Sequence, residues 1–487
     1  MVYCGKPSDA CQPCRTKRRK CDRKRPCCTQ CARANVPCPG YPDPVSSYFR
    51  NETALVSQRA QEKRAPRLKS TARSQGRERR QPYITSLSTS PEDVALAYFM
   101  LSFAPTSPFH YLPGLWSGVE LDRDVNLAVN GYTLASLAIG SSQPELMVLA
   151  RSYYSKALAR THEALGSPQR ALLDSTLLTI LLLTAFEAVV FNGRASPKSW
   201  AVHVQGTTGL LTMRGKRQFQ SDLGQRLFHQ ASMNVLAICA LQRIPPPRQI
   251  LNLQKDASTV LETRSGSYRL EMLVERFVAL RANMKGMLAT EVVREASELD
   301  KESKTLLEGK KLIQPYKVMI SEDTFAKART YKGILHEYVS QNSARAYNIF
   351  RMLRLFFNEW IYCAYQQDLR GVILNRPSTA DPLHKEWDYL PTKAALQGEE
   401  MIDEILASVP YTLELLEKSS STSARLLIWP LASVGTSELC PVSAKRFVID
   451  RLKVLTEIHN VPQALEAATM LEEGVSIEDW LHIFHFS

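Results

Sequence analysis

From residue 90 onward the apolar residues recur at the spacing of one helix face. Leu96, Phe99, Met100 and Phe103 fall at i, i+3, i+4 and i+7 behind Ser90-Pro91-Glu92-Asp93, which reads as a capping start with proline at the first helical position. Ser142-Gln143-Pro144-Glu145 opens a second helix, with Leu146, Ala150, Tyr153 and Ala157 on one side. Ser167-Pro168 predicts a third, running through the apolar stretch Leu177 to Phe191, which Glu187 interrupts. Further helical patterns cover 197–214, 222–242, 268–290, 341–366, 396–408, 421–434 and 443–459. Residues 295–340 are charged and read as an insertion. Period-2 alternation is scarce, so the expectation is a large all-α body over 90–487 with its own core. The apolar stretch falls short of the about 20 residues that a membrane span needs, so no membrane partner is expected.

Before residue 90 the pattern fails. Prolines stand at 39, 42, 44, 66 and 82 among Ser, Arg and Gln, and apolar residues are sparse. Residues 41–89 read as a flexible, disordered basic linker. No heptad is sustained between Val45 and Ser90, which removes the coiled-coil signal for a dimer; a homodimer is left as an option only.

Composition sharpens this division. The chain has 487 residues, 44% hydrophobic and 22% charged, which excludes a collagen, a mostly disordered chain and a membrane transporter. The net charge of +13 is concentrated at one end. Residues 1–80 hold 20 Lys and Arg against 6 Asp and Glu, and the rest hold 41 against 42. A basic arm on a neutral body implies a polyanion for the arm and another task for the body.

Eight of the eleven cysteines lie between Cys4 and Cys38, and no apolar signal region precedes them. Clustered cysteines in such a chain favour metal over disulfides. Cys11, Cys14 and Cys21 follow C-x2-C-x6-C, and Cys28, Cys31 and Cys38 repeat it 17 residues on. Tetrahedral zinc takes four ligands, so one site would leave two thiolates over. Six thiolates fill two zinc sites if two bridge, and Cys11 and Cys28 are the symmetric candidates. Taking Cys27 as a ligand would break the repeat, so it reads as a bystander, like Cys4.

Cys21-Asp22…Pro26-Cys27-Cys28…Cys31 fits C-D-x3-P-x-C-x2-C, and with the six cysteines residues 8–40 resemble the fungal Zn2Cys6, or zinc binuclear cluster, transcription factors. The resemblance implies a small domain of two short helices and loops, two Zn2+ per chain, and double-stranded DNA as partner. It implies that the helix beginning between the second and third cysteines points into the major groove and reads CGG-type triplets. Arg15, Lys17, Arg18, Arg19 and Lys20 lie there, with Arg23 and Lys24 just beyond. Arginine and lysine donate to guanine O6 and N7, and other cations rest on phosphates. Arg18 stands where the family most often has lysine. The second half-unit has only Arg33 between its cysteines, so the first half is expected to read the bases.

The body resembles the fungal-specific transcription factor domain at Trp200-x2-His203-x2-Gly206…Leu210-Leu211…Arg214-Gly215 and Trp429-Pro430-Leu431. It contains no G-x4-G-K-[ST], G-x-G-x2-G, G-x-S-x-G or H-E-x2-H, and no enzyme is expected. His203 reads as a core histidine. His482 and His485 lack ligand partners, and the tail from Glu472 to Phe484 reads as a terminal amphipathic helix, with an activation segment as the alternative. The expectation is a nuclear, zinc-dependent, sequence-specific regulator of RNA polymerase II genes, whose body takes a coregulator, a second subunit or a small effector. The alternatives are a DNA-targeted effector-binding or enzymatic body, and a purely structural zinc-cluster interaction protein.

Overall fold

Helices form where the capping residues and apolar stripes demand them, and they divide into two units at Ser86 and Leu87. The structure is a computed structural model. It describes residues 10–17, 19–22, 24, 27–39, 90–115, 123–141, 143–190, 198–259, 266–308, 313–321, 329–370, 377, 382–418 and 425–475. The expected linker, 41–89, and the expected tail helix beyond 475 lie outside the described residues, as do His482 and His485.

In the first unit, α1 is Gln12–Thr16 and α2 is Thr29–Arg33. Among its described residues the buried ones are Ala10, Cys11, Cys14, Cys28 and Cys31. A core of one alanine and cysteines has almost no apolar area to drive folding.

The second unit opens on α3, Pro91–Tyr98. The Ser90 hydroxyl accepts from the Asp93 amide at 3.1 Å, as its sequence predicts. A π-turn, Phe99–Phe103, prolongs α3 and buries both phenylalanines. α4 (Arg123–Gly140) packs on α5 (Pro144–Leu165). Gly131 permits their close approach: a Cβ there would meet the Tyr154 amide nitrogen at 3.1 Å.

The third predicted helix is broken. Ser167 caps only the short turn Pro168–Ala171, and α6 begins afresh at Asp174 and ends at Val189. The break is held from outside. Arg214 donates to the carbonyls of Leu172 at 2.9 Å and Leu173 at 2.7 Å, and pairs with Asp174. Asp174 also accepts from Ser221, the N-cap of the next long helix but one, at 2.9 Å. α6 itself is buried on nearly every side, which identifies it as the central helix of the body.

α7 (Lys198–Arg214), α8 (Asp222–Gln242), α9 (Arg248–Ser258) and α10 (Gly266–Asn283) follow. α7 contains Trp200 and His203, whose side chains lie outside the described part. A 3-10 turn at Met284–Gly286 ends the pattern expected through 290, and α11 is Ala289–Glu308. The charged stretch taken as an insertion is therefore partly core. Val292, Val293, Ala296, Leu299 and Leu306 are buried along one face of α11, and Asp300 binds Arg354 at 2.8 Å. The stretch also holds the strands β1 (Lys317–Ile320) and β2 (Ile334–Glu337), an antiparallel pair with Lys317 opposite Glu337. They are too short to give a readable alternation, and they add to an otherwise helical body.

α12 (Gln341–Arg370) packs on α11 and on α13 (Leu390–Lys418), followed by α14 (Ile428–Thr436), α15 (Val442–His459) and α16 (Pro462–Glu473). One continuous core runs from Ala95 to Leu471. Within it Phe277 of α10 stacks on Trp360 of α12 at 5.1 Å. Late helices are stitched to early ones: the Asn460 amide donates to the Ile139 carbonyl at 2.8 Å, and that of Gln463 to the Ala188 carbonyl at 2.7 Å.

Candidate metal centre and nucleic-acid interface

The two duplicated triplets converge. The sulfurs of Cys11, Cys14, Cys21 and Cys28 lie within 4.8 Å of one another, and so do those of Cys11, Cys28, Cys31 and Cys38. Cys11 and Cys28 are common to both quartets. Their sulfurs are 3.6 Å apart. Cys11 to Cys31 is also 3.6 Å, Cys14 to Cys28 3.7 Å, and Cys21 to Cys11 3.8 Å. A disulfide needs about 2.05 Å. Four sulfurs around one zinc at about 2.3 Å stand about 3.8 Å apart along each tetrahedral edge. The spacing therefore fits two tetrahedra sharing the Cys11–Cys28 edge.

Without a cation this arrangement resists ionisation. Burial pushes the Cys11 and Cys14 thiols up, and a hydrogen bond to Cys28 followed by burial pushes Cys31 up to about 12. Six thiolates in such a space need compensating positive charge, and two Zn2+ supply it while binding the deprotonated form. Metal retention then weakens as pH falls and protons compete for the sulfurs.

Local bonds hold the frame. Cys28 is the N-cap of α2, and its sulfur accepts from the Cys31 amide at 3.3 Å. Asp22 accepts from the Thr29 amide at 3.0 Å and from the Thr29 hydroxyl. This ties the loop after Cys21 to the start of α2, and the Thr29 hydroxyl holds the Asp22 carboxyl below its ordinary value. In the sequence Asp22 stands out only as part of the C-D-x3-P-x-C-x2-C motif. Its bonds to Thr29, seven residues on, leave no mark in the sequence. Cys27 turns its sulfur toward the Cys28 carbonyl at 3.4 Å and belongs to neither quartet.

Of the basic residues singled out, Lys17, Arg19, Lys20 and Lys24 are exposed around the first quartet. Arg15 is in α1, but its side chain lies outside the described part, and Arg18 and Arg23 lie outside the described residues. On the other half Arg33, in the last turn of α2, is exposed.

Residues 9–48 match the fungal Zn(2)-Cys(6) binuclear cluster domain, and residues 127–256 match the fungal specific transcription factor domain. The chain carries the two domains of a fungal Zn2Cys6 transcription factor. No curated protein and no solved structure matches it. This zinc-cluster protein binds two zinc ions, and its domains point to a DNA-binding regulator of transcription. The matched part of the body runs from α4 to α9. Among the described residues no helix is long and apolar enough to cross a membrane.

Proposed function

We propose that the cluster reads CGG-type triplets in the major groove through its first half-unit, at promoters of RNA polymerase II genes in the nucleus. Lys17 and Arg18 donate to guanine, and Arg15, Arg19, Lys20, Arg23 and Lys24 rest on phosphates. Cys11, Cys14, Cys21 and Cys28 hold one zinc; Cys11, Cys28, Cys31 and Cys38 hold the other. The DNA-binding domain spans 8–40, the linker 41–89 and the regulatory body 90–487, where a coregulator or small effector binds.

The observation that supports this reading is the asymmetry of charge between two halves of similar metal geometry. Lys17, Arg19, Lys20 and Lys24 are exposed beside the first quartet, and Arg33 is the single basic residue among 29–38. Phosphate affinity follows cation number. The test is the affinity of the full chain for a CGG-bearing duplex and for a scrambled one. Arg18→Ala should cost about 1–3 kcal/mol on the CGG duplex and little on the other. Arg33→Ala should lower both slightly. Equal losses on both duplexes for Arg18→Ala would sink the base-reading role.

A further inference from the structure

One strand of the body displays apolar side chains to solvent. β1 reads Lys317-Val318-Met319-Ile320, and all four residues are exposed. Among the described residues no other run of three consecutive large apolar side chains is exposed. Contiguous apolar surface marks an interaction site where scattered residues do not. The pairing puts Val318 and Ile320 on one face with His336 and Ile334, and Lys317 and Met319 on the other with Glu337 and Leu335. His336 is buried, so the first face is the one turned to the body. Yet Val318 and Ile320 on that same face are 61% and 77% exposed. β2 rests on α13, and β1 overhangs with open space beneath it.

The backbone edge is open as well. Among the described residues β1 pairs with β2 alone. The Ser321 amide donates to the Gly333 carbonyl at 2.8 Å. This fixes the phase of the ladder, in which residues 317, 319 and 321 bond inward to β2. The amides and carbonyls of Val318 and Ile320 therefore face the free edge. Ile334, opposite Ile320, agrees: its amide donates away from β1, to the Tyr331 carbonyl at 3.2 Å.

Area and charge choose the occupant. Three side chains offer far less than the about 1,200 Å² in total that a stable interface between folded proteins buries, which argues against a second copy docked on this edge. An added strand draws its affinity from main-chain hydrogen bonds instead. Lys317 is the only charged residue of β1, and its side chain is 80% exposed, so a carboxylate opposite it is favoured.

We propose that the outer edge of β1 takes an extended peptide segment of a partner protein as an added antiparallel strand, with apolar residues opposite Val318 and Ile320 and an acidic residue opposite Lys317. The partner's apolar side chains fill the space beneath β1, and the backbone groups of Val318 and Ile320 hold its register. The inference rests on the reading of the body as the part that takes a coregulator, and gives that partner a place. Its test uses no DNA, so the two readings fail separately.

The experiment is fluorescence anisotropy of the full zinc-loaded chain with the fluorescein-labelled peptide Thr-Val-Thr-Val-Glu, whose glutamate falls opposite Lys317 in the antiparallel register. Binding should saturate, and a peptide ending in lysine should bind about 2- to 5-fold more weakly, as an exposed charge pair dictates. N-methylation of either valine, whose N–H points at β1, should abolish binding, and N-methylation of the middle threonine should not. Ile320→Asp should weaken binding about 10-fold through lost apolar contact, and Lys317→Gln should erase the preference for glutamate. Both variants should melt as the parent does. Sedimentation of the parent and of Ile320→Asp should give the same mass. The proposal is overturned if the peptide does not bind, if methylation of the threonine and of the valines acts alike, or if Ile320→Asp binds as the parent does. It is also overturned if either variant melts well below the parent, which would mean that the chain itself covers the edge, or if Ile320→Asp splits a parent dimer, which would mean that a second copy does.

Discussion

Replacing Cys28 should remove two metals, whereas replacing Cys38 should remove one. Cys28 belongs to both quartets and Cys38 to the second alone. The shared Cys11–Cys28 edge is 3.6 Å long. Zinc at about 2.3 Å from each sulfur sits about 1.4 Å from the middle of that edge, so the two metals should lie about 3 Å apart. Binding of structural zinc supplies about 10–16 kcal/mol in peptides of this kind. Among the described residues of the unit the apolar core offers nothing comparable, since Ala10 is the one buried residue there besides cysteines. Cys28→Ala should therefore leave the arm unfolded, and Cys38→Ala should retain the metal held by Cys11, Cys14, Cys21 and Cys28. Native mass spectrometry of the full chain counts the metals, and zinc X-ray absorption measures the metal–metal distance. One zinc in the parent, no zinc–zinc scattering near 3 Å, or one tightly held zinc in Cys28→Ala would refute the shared-edge geometry.

Cys27→Ala should keep both zincs by the same mass measurement, since its sulfur lies outside the quartets. A chelator should abolish DNA binding of the full chain while leaving the main melting transition of the body in place; a collapse of that transition would contradict two independent units. Arg214→Ala should destabilise the body by about 3–5 kcal/mol in denaturant unfolding, because it strips a buried partner from Asp174 and from two carbonyls. The His229–Glu271 pair should stabilise most between pH 4.5 and 6.5, the unperturbed values of Glu and His. Below that window the contribution is lost as pH falls through the lowered Glu271 value, and above it as pH rises through the raised His229 value. The melting difference between parent and Glu271→Gln, measured across pH, should peak there; a difference that keeps growing in alkali would contradict the pairing.

The metal centre was legible because its information is local. A 17-residue repeat of C-x2-C-x6-C gives the number of candidate thiolates and makes Cys11 and Cys28 the symmetric candidates for sharing, and these two sulfurs are common to both quartets. Helix starts were legible for the same reason, as at Ser90. The break before α6 was not. Leu172 and Leu173 are good helix formers, and what opens the chain there is Arg214, 42 and 41 residues away. The face of α11 was hidden by charge, since Asp300 counts as polar in the pattern but is buried against Arg354. The strands β1 and β2 are four residues each and belong together only through a pairing that alternation cannot announce.

The stitching of late helices to early ones has a genetic consequence. The matched segment of the body ends at residue 256, yet Gln463 and Asn460 donate to carbonyls at Ala188 and Ile139. A premature stop codon before Asn460 would remove both donors and leave those carbonyls bare, far upstream of the lesion. Such an allele would keep an intact zinc arm on a body prone to unfold, and its product would compete for promoter sites for only as long as quality control spared it.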